Sequence, residues 1–204
     1  MHVIGLTGGV GTGKSTVSKY IQELGAVLVD ADKVGHESYR PGALAYKDIV
    51  AAFGPRVLQP NGEIDRKALG AIVFNDPKAL AKLNSIVHPR MKDMIEEKLA
   101  ELSQQGVKAV ILEAAILIEA KWNVLVDEVW VTYAPEQTVI KRVKDRNNWT
   151  EEQIKARINA QLPQSERAKH ANVVIDTDCS LDELRRRVQE LWNKRIMKNG
   201  ARKD

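Results

Sequence analysis

GGVGTGKST, residues 8–16, lies between an apolar run at residues 2–7 and a segment whose apolar residues recur at helical spacing. It matches the pattern G-x-x-x-x-G-K-[ST], which requires a strand before the loop and a helix after it. Glycines let the backbone N–H groups point inward at phosphate oxygens, and the new helix adds its positive dipole end. The stretch therefore predicts a phosphate-binding loop, and a glycine-rich turn with a chance lysine is the alternative.

Each part of this loop has an expected role toward a bound nucleotide. We expect Lys14 to neutralise charge on the β- and γ-phosphates and the Ser15 hydroxyl to ligate Mg²⁺. The residues that we expect to hold the phosphates through their backbone N–H groups are Gly9, Val10, Gly11, Thr12, Gly13, Lys14, Ser15 and Thr16. Magnesium is thus an expected cofactor.

The composition is that of an ordinary globular protein. Of the 204 residues, 44% are hydrophobic and 28% are charged, so neither disorder nor a fibrous class is indicated. No apolar run approaches the roughly 20 residues that span a bilayer, and residues 1–30 lack the pattern of a signal peptide. The single Cys179 excludes an internal disulfide and fits a reducing compartment. These features predict a cytoplasmic protein that does not enter a membrane.

The formal net charge of +4 has two possible explanations. A basic excess can serve the binding of nucleic acid, but phosphorylated small substrates also need cationic pockets, and we expect the second use. The basic tail at residues 197–204 is expected to be solvated.

Five short apolar runs alternate with helical patterns along the chain. They lie at residues 2–7, 26–30, 109–113, 128–133 and 172–176. Strands that alternate with helices predict an α/β fold with a parallel sheet and right-handed crossovers. We therefore expect a five-stranded parallel sheet flanked by helices.

Between the second and third strands the chain is predominantly helical. Turn signals separate predicted helices at residues 43–53, 65–74 and 77–102. Pro89 follows His88 inside the third of them, and because a proline inside a helix costs about 3 kcal/mol, we expect a kink or a helix junction there. The apolar stripe that should pack into the core consists of Met91, Met94, Ile95, Leu99 and Leu102.

Acidic residues stand at the ends of the second and third strands. Ligands of open parallel sheets bind beyond the carboxyl ends of the strands, so Asp30 and Asp32 should face the same crevice as the phosphate loop. One of the two is a candidate general base, and the other is expected to cap the helix that follows. Glu113 could orient the Mg²⁺ shell through water, or act only as a hydrogen-bond acceptor at a strand end.

Two arginines in the zone after the fourth strand predict contact with an anion. Arg142 and Arg146 are four residues apart, so they project from one face of a helix. Neighbouring guanidiniums repel each other unless an anion lies between them, and a transferring phosphoryl group is such an anion. A solvated helix face paired with nearby acidic residues is the alternative.

Further motifs follow one another in order along residues 2 to 196. They are Val29-Asp30-Ala31-Asp32, Gly35-His36-x-x-Tyr39-x-Pro41-Gly42, Asp65-Arg66-x-x-Leu69, Val73-Phe74, Leu83-Asn84-x-x-x-His88-Pro89, Leu117-Ile118-Glu119, Glu128-Val129-Trp130-Val131, Gln137 with Arg142 and Arg146, Arg157-x-x-x-Gln161, and Glu166-Arg167. With the phosphate loop, this series resembles the dephospho-coenzyme A kinase family, and in particular the kinase module of the bifunctional coenzyme A synthase.

The resemblance implies a P-loop kinase fold that carries a helical acceptor-binding insertion and a lid. The expected core comprises residues 1–32, 107–140 and 170–196. The insertion is then expected at residues 33–106 and the lid at residues 141–169.

The resemblance also implies the reaction and the residues that perform it. The γ-phosphoryl group of ATP would pass to the 3′-hydroxyl of the ribose of dephospho-coenzyme A, in the final step of coenzyme A biosynthesis. Asp32 would accept the hydroxyl proton and Lys14 would hold the phosphates. Arg142 and Arg146 would act on the transferring group. The residues implied for the acceptor pocket are Asp32, Arg66, Phe74, His88 and Leu117.

Two departures from the family pattern affect these expectations. The family usually has Pro-Leu-Leu-aromatic-Glu where this chain has Ala115-Ile116-Leu117-Ile118-Glu119, which bears on the rigidity of the loop. The final strand usually reads Ala-Asp…Asp-Asn, whereas this chain has Ala171-Asn172 and Asp176-Thr177. The second departure touches the expected adenine pocket, so the affinity for ATP or the base selectivity could differ.

Three other functions compete with this interpretation. A nucleoside monophosphate kinase is disfavoured because its phosphate acceptor would be repelled by Asp30 and Asp32. A GTPase-type switch would need an Asn-Lys-x-Asp element, which the sequence lacks. A nucleic-acid-binding ATPase would lose affinity steeply as salt rises. We expect ATP and dephospho-coenzyme A as the small-molecule partners, no nucleic acid, no membrane, and a monomer or weak homo-oligomer.

Overall fold

The structure is a computed structural model that describes residues 1–197, and these form two compact units. One unit consists of residues 1–29 together with the described residues from 102 onward, and the other consists of residues 30–101. The basic tail predicted at 197–204 lies, beyond its first residue, outside the described residues.

The described residues of the first unit are built around a five-stranded sheet. Its strands are β1 (His2–Gly8), β2 (Val27–Asp30), β3 (Ala109–Glu113), β4 (Glu128–Tyr133) and β5 (Val173–Asp176). Their order across the sheet is β2-β3-β1-β4-β5, and β1 pairs in parallel with β3 and β4, as β4 does with β5. The predicted parallel sheet is confirmed. The first and last residues of each strand lie within one residue of the predicted limits.

The strand order explains where a ligand should bind. β1 is the central strand, and the chain leaves it toward β2 on one side of the sheet, whereas it leaves β4 toward β5 on the other side. The crevice beyond the carboxyl ends of two such neighbouring strands is the usual ligand site of an open α/β sheet. The phosphate loop follows β1, so it lies at this crevice.

Helices α1 (Lys14–Glu23) and α9 (Leu181–Trp192) pack on one face of the sheet. Ile4 and Leu6 alternate along β1, so they share one face of the strand and are both fully buried. The helical side chains that pack with them are Val17, Tyr20, Ile21, Leu184, Val188 and Trp192. Ser180 caps α9, because its hydroxyl accepts the Glu183 N–H at 3.2 Å.

Three helices fill the region between β4 and β5. They are α6 (Glu136–Asn147), α7 (Glu151–Asn159) and α8 (Gln164–Ala168). Val139 and Val143 of α6 pack with Ile154 of α7 in a separate buried cluster. The proposal that residues 141–169 act as a lid concerns these helices.

The second unit is helical. Its helices are α2 (Ala31–Ser38), α3 (Leu44–Phe53), α4 (Arg66–Val73) and α5 (Pro77–Gln104), of which α5 continues past residue 101. α2 lies against α5, since a Cβ atom built on Gly35 would be 3.1 Å from Cε of Met91. The helices predicted at 43–53, 65–74 and 77–102 are thus present, and the acceptor-binding role of this unit stays a prediction.

α5 continues through Pro89 as one helix, so of the predicted kink or helix junction the junction is wrong, and a kink at Pro89 stays a prediction. Proline has no N–H, so the hydrogen bond that residue 89 would donate to the Ser85 carbonyl is missing. The buried residues of α5 are Val87, Met91, Ile95 and Leu99. Burial of such side chains contributes about 1.5–3 kcal/mol each, so the four together exceed the roughly 3 kcal/mol cost of one proline. Met94 and Leu102, the other two residues of the predicted stripe, are partly buried.

α5 is the longest helix in the described part of the chain, at 28 residues. Neither α5 nor any other helix within residues 1–197 combines the length and the apolar character needed to cross a membrane.

Candidate active site

The phosphate loop connects β1 to α1 and packs tightly on β4. The Thr12 hydroxyl donates to the Gly9 carbonyl at 2.8 Å, and its Oγ1 lies 2.7 Å from Oγ1 of Thr132. A Cβ atom on Gly8 would lie 2.0 Å from Oγ1 of Thr132, so a side chain does not fit there. Gly13 precedes α1 with a φ of 82°, in the left-handed region that glycine adopts at little cost. The loop is therefore held in one shape by its glycines and by two threonine hydroxyls.

Some N–H groups of the loop already have partners in the protein. The Val10 N–H donates to Oε1 of Gln161 at 2.9 Å. The N–H groups of Thr12 and Thr16 donate to the carbonyls three residues before them, at 3.3 and 3.0 Å. These three N–H groups thus have partners in the protein, and their expected contact with phosphate stays a prediction. Lys14 and Ser15 are the first two residues of α1, where N–H groups have no partner within the helix, so their N–H groups remain able to bind an anion.

Lys14 and Ser15 both contact the carboxylate of Glu113 at the end of β3. The distance from Nζ of Lys14 to Oε1 of Glu113 is 3.2 Å, and the Ser15 hydroxyl donates to the same oxygen at 3.4 Å. The side chains of Lys14 and Glu113 are only 16% and 14% exposed, so this ion pair is partly shielded from water. Glu113 thus acts as a hydrogen-bond acceptor, which is one of its two predicted roles.

A cavity of about 420 Å³ opens above the phosphate loop within the first unit. The loop, Lys14 and Ser15 form its polar lining, and side chains after β5 form an apolar lining. The lining residues outside the loop are Ala115, Arg142, Val143, Arg146, Gln161, Thr177, Cys179, Leu181 and Leu184. A volume of this size is in the range of small-molecule sites, and the mixture of cationic and apolar walls suits a nucleotide.

Arg142 and Arg146 both line this cavity, as their spacing predicted, but they have different partners. Nη1 and Nη2 of Arg142 donate to the hydroxyl and to the carbonyl oxygen of Thr177, at 3.0 and 2.7 Å. Arg146 is exposed, and its Nε donates to Oδ1 of Asn147 at 2.9 Å. Of the two arginines, Arg142 is the one held in place by the sheet end.

In the second unit, the side chains of Asp30 and Asp32 differ in their hydrogen bonds. Asp30 caps α2, because its Oδ1 accepts the N–H groups of Asp32 and Lys33 at 3.0 and 3.2 Å. The prediction that one of the two aspartates is a cap is confirmed for Asp30. The Asp32 side chain is exposed in the first turn of α2, so Asp32 remains the candidate base.

The second unit contains a basic cavity of about 460 Å³. Its lining includes Arg66 and Lys67 at the start of α4, and Nη1 of Arg66 lies 3.2 Å from Nε2 of His36. Tyr39 also lines the cavity, and burial raises the pKa of its hydroxyl, an effect that the positive charge of Arg66 opposes. Arg40 adds a further guanidinium. The lining holds three cations and two carboxylates, those of Glu63 and Asp65, and the remaining positive charge suits a phosphorylated ligand.

Phe74 and His88, also predicted to contact the acceptor, do not line this cavity in the described part of the chain. Phe74 ends α4, eight residues after Arg66, so their Cα atoms are about 12 Å apart along the helix. Phe74 is 81% exposed, which leaves it accessible for contact. Burial lowers the pKa of His88, so its neutral imidazole is favoured.

Leu117 was expected in the acceptor pocket, but it has no exposed surface. A Cβ atom on Gly5 would lie 2.7 Å from Cδ2 of Leu117, so this side chain fills the space that the glycine leaves above β1. A residue so placed contributes to the core, and the expected contact of Leu117 with the acceptor does not fit this burial.

Comparison with known proteins identifies the family. The sequence profile of the family Dephospho-CoA kinase matches residues 2–183. The dephospho-CoA kinase of Geobacter sulfurreducens is 47% identical over 196 residues, which cover 96% of this chain and all of the relative. The chain belongs to the dephospho-CoA kinase family. It is therefore a kinase, and the resemblance inferred from the motifs is confirmed.

Solved structures agree with this assignment. The dephospho-CoA kinase of Campylobacter jejuni is 29% identical, with a TM-score of 0.73 over 97% of this chain and 98% of that one. The shikimate kinase of Acinetobacter baumannii is 16% identical, with a TM-score of 0.55 over 98% of this chain and 94% of that one. The second likeness shows the fold alone, which is the P-loop kinase fold predicted from the sequence.

Two polar residues beside the loop were not predicted as site residues. Gln161 holds the Val10 N–H, and Arg167 lies behind Gly9, since a Cβ atom there would be 3.6 Å from Nη1 of Arg167. Arg167 is 1% exposed, and its Nη2 donates to Oε1 of Glu119 at 2.9 Å. Both residues occur in the motifs that resemble dephospho-CoA kinases. This resemblance is the feature of the sequence that could have indicated them as site residues. Their spacing in the sequence alone does not bring them to the loop.

Proposed function

We propose that this protein transfers the γ-phosphoryl group of ATP to the 3′-hydroxyl of the ribose of dephospho-CoA, giving CoA and ADP. The observation that carries this proposal is the cavity above the phosphate loop, where Lys14, Arg142 and Arg146 surround the N-terminus of α1 in a chain of the dephospho-CoA kinase family.

The nucleotide side of the reaction needs fixed positive charge. We propose that the N–H groups of Gly9, Gly11, Gly13, Lys14 and Ser15 bind the phosphates, since Val10, Thr12 and Thr16 use theirs within the protein. When ATP binds, Lys14 exchanges its contact with Glu113 for the β- and γ-phosphates. Charge stabilisation of this kind, prepared before the reaction, is usually the largest catalytic contribution. The apolar side chains after β5 would face the base.

Magnesium fits the residues beside Lys14. Ser15 and Glu113 place a hydroxyl and a carboxylate oxygen 3.4 Å apart, and oxygen atoms are the ligands that Mg²⁺ prefers. Within the described residues no cluster of three His, Cys, Asp or Glu side chains forms a metal cage, and Mg²⁺ at nucleotide sites normally relies on one or two side chains plus phosphates. We propose that Ser15 holds it, with Glu113 beside it. A bound magnesium ion supplies neutralisation of phosphate charge.

Asp32 is the proposed general base. The ribose hydroxyl must lose its proton as it attacks, and a positioned carboxylate can accept that proton. Asp30 is occupied by the cap of α2, whereas the exposed Asp32 carboxylate has no such structural role. In our proposal Asp32 takes the proton from the 3′-hydroxyl.

The basic cavity of the second unit is proposed to bind the diphosphate of dephospho-CoA. Arg66 and His36 lie in contact there, and Arg40 and Lys67 complete a cationic wall. Arginine binds phosphate oxygens through paired N–H groups, so Arg66 is the expected main contact. Phe74 and His88 are retained as further acceptor contacts outside this cavity.

Replacing Arg66 by alanine should raise the KM for dephospho-CoA about 10-fold to 100-fold, because a hydrogen bond to a charged group is lost. The KM for ATP should change less than twofold. Steady-state assays with each substrate varied in turn would measure both constants. Arg90→Ala is the matched control, because Arg90 lies in the same unit and its ion pairs within residues 1–197 are two surface pairs at 4.0 Å. A change in the ATP constant alone would remove Arg66 from the acceptor site.

The function itself is tested by ADP release from the purified protein, with ATP and magnesium, in the presence and absence of dephospho-CoA. We expect turnover that depends on the acceptor, and a product heavier by one phosphate at the ribose, as measured by mass spectrometry. Chelation of magnesium by EDTA should abolish this turnover. ATP binding without turnover on dephospho-CoA would contradict the proposed acceptor.

A further inference from the structure

Thr177 stands at a junction of three elements in the nucleotide cavity. It follows β5 directly and is 1% exposed. Its Oγ1 lies 3.0 Å from the carbonyl oxygen of Thr12 and 3.1 Å from that of Tyr133, and the hydroxyl donates its one proton to this pair. The same oxygen accepts Nη1–H of Arg142 at 3.0 Å. One hydroxyl therefore links the phosphate loop, the end of β4 and an arginine of α6.

Arg142 depends on Thr177 for its orientation. Within residues 1–197, both hydrogen bonds of its guanidinium go to Thr177, one to the hydroxyl and one to the backbone carbonyl. Two bonds from the planar guanidinium to one residue fix both the position and the direction of the group. An arginine side chain without such bonds has many rotamers. Fixing it in one rotamer when a polyphosphate binds would then cost conformational entropy at each binding event.

Thr177 also touches the residue at which the loop becomes a helix. A Cβ atom on Gly13 would lie 3.3 Å from Oγ1 of Thr177, so the threonine packs directly against the backbone before the first turn of α1. The N–H groups of that turn are the ones available to phosphate. The hydroxyl therefore sets the distance between Arg142 and the phosphate-binding backbone.

We propose that Thr177 is a positioning residue, whose hydroxyl holds Arg142 at a fixed place beside the phosphate loop so that the guanidinium can bind the phosphates of ATP. This inference rests on the proposed function only in that Arg142 contacts those phosphates. It makes Thr177, at the position where the family pattern usually has asparagine, part of this protein's nucleotide site.

The test is a double-mutant cycle on the affinity for ATP with magnesium, measured by titration calorimetry without dephospho-CoA. Thr177→Val keeps the shape and the backbone carbonyl but removes the hydroxyl, and it should weaken ATP binding about tenfold. Thr177→Ser keeps the hydroxyl and should bind ATP within about threefold of the wild type. In an Arg142→Ala background, the change from Thr177 to valine should alter the affinity less than about twofold, because the partner is already gone.

A tenfold loss that persists in the Arg142→Ala background would overturn the proposal, since the hydroxyl would then act only on the loop. If the valine variant does not fold, Thr177→Ala takes its place in the cycle. If neither folds while Thr177→Ser does, the hydroxyl has a structural role and the proposal also fails. Wild-type protein that binds ATP but does not phosphorylate dephospho-CoA would contradict the proposed acceptor and leave this cycle valid.

Discussion

Replacing Lys14 by methionine should lower kcat/KM for ATP by about 10²–10³, the usual loss when one preorganised charged or hydrogen-bonding group is removed from a transition state. Methionine keeps the length and apolar stem of the side chain but not its charge. The phosphates would then lose the cation proposed to neutralise them, and the Glu113 carboxylate, 3.2 Å from Nζ of Lys14, would remain without this counter-charge. Steady-state kinetics with ATP varied at saturating dephospho-CoA would measure the loss.

Lys19 provides the matched control for this variant. It lies on the same helix as Lys14, but its side chain is exposed. Lys19→Met removes an equal charge from α1 and should leave kcat/KM within about twofold of the wild type, as expected for a surface substitution. Equal losses in both variants would mean that the net charge of α1 matters and not the position of Lys14. Retained activity in Lys14→Met would remove this lysine from the catalytic role.

Local pattern was sufficient to predict the framework of the site. The strand, loop and helix at residues 2–23 are specified by neighbours in the sequence: an apolar run, glycines at fixed spacing and an amphipathic repeat. The same holds for the cap at the start of α2, because an aspartate directly before a helix satisfies N–H groups two and three residues later. Interactions of this range can be inferred from the sequence alone.

The contacts that tune the loop could not be inferred in this way. Gln161 reaches Val10 across 151 positions in the sequence, and Thr177 reaches Thr12 across 165. Such pairs form only when the chain has folded, and neither a glutamine after a helix nor a threonine after a strand carries a sign of its distant partner. The sequence therefore predicted which loop binds phosphate but not which of its N–H groups are free to do so.

Tertiary packing also acts against local signals at two places. Pro89 lowers the local helical preference, yet α5 continues because its apolar stripe is buried on both sides of the proline. Leu117 lies in a motif associated with the acceptor, yet the absence of a side chain on Gly5 leaves a space that Leu117 fills. In both cases the burial of apolar surface, at about 25 cal/mol per Å², outweighed the local signal.

Replacing Asp32 by asparagine should lower kcat by about 10²–10⁴, the range expected for loss of a general base, with little change in the KM for either substrate. Asparagine has the same shape as aspartate and can accept a hydrogen bond from the ribose hydroxyl, but it cannot take the proton. Single-turnover measurements of phosphoryl transfer at saturating substrates would isolate the chemical step.

Asp30→Asn is the matched control for Asp32→Asn, because Asp30 lies two residues before Asp32 and also carries a carboxylate. Asparagine caps helices as well as aspartate does, so Asp30→Asn should keep α2 intact and leave kcat within about twofold of the wild type. Its ion pair with Lys33, at 3.9 Å on the surface, adds little to stability. If Asp30→Asn loses turnover while Asp32→Asn keeps it, the base is Asp30. If both variants keep near-normal turnover, the hydroxyl needs no carboxylate, and catalysis depends on the charge supplied by Lys14 and the arginines.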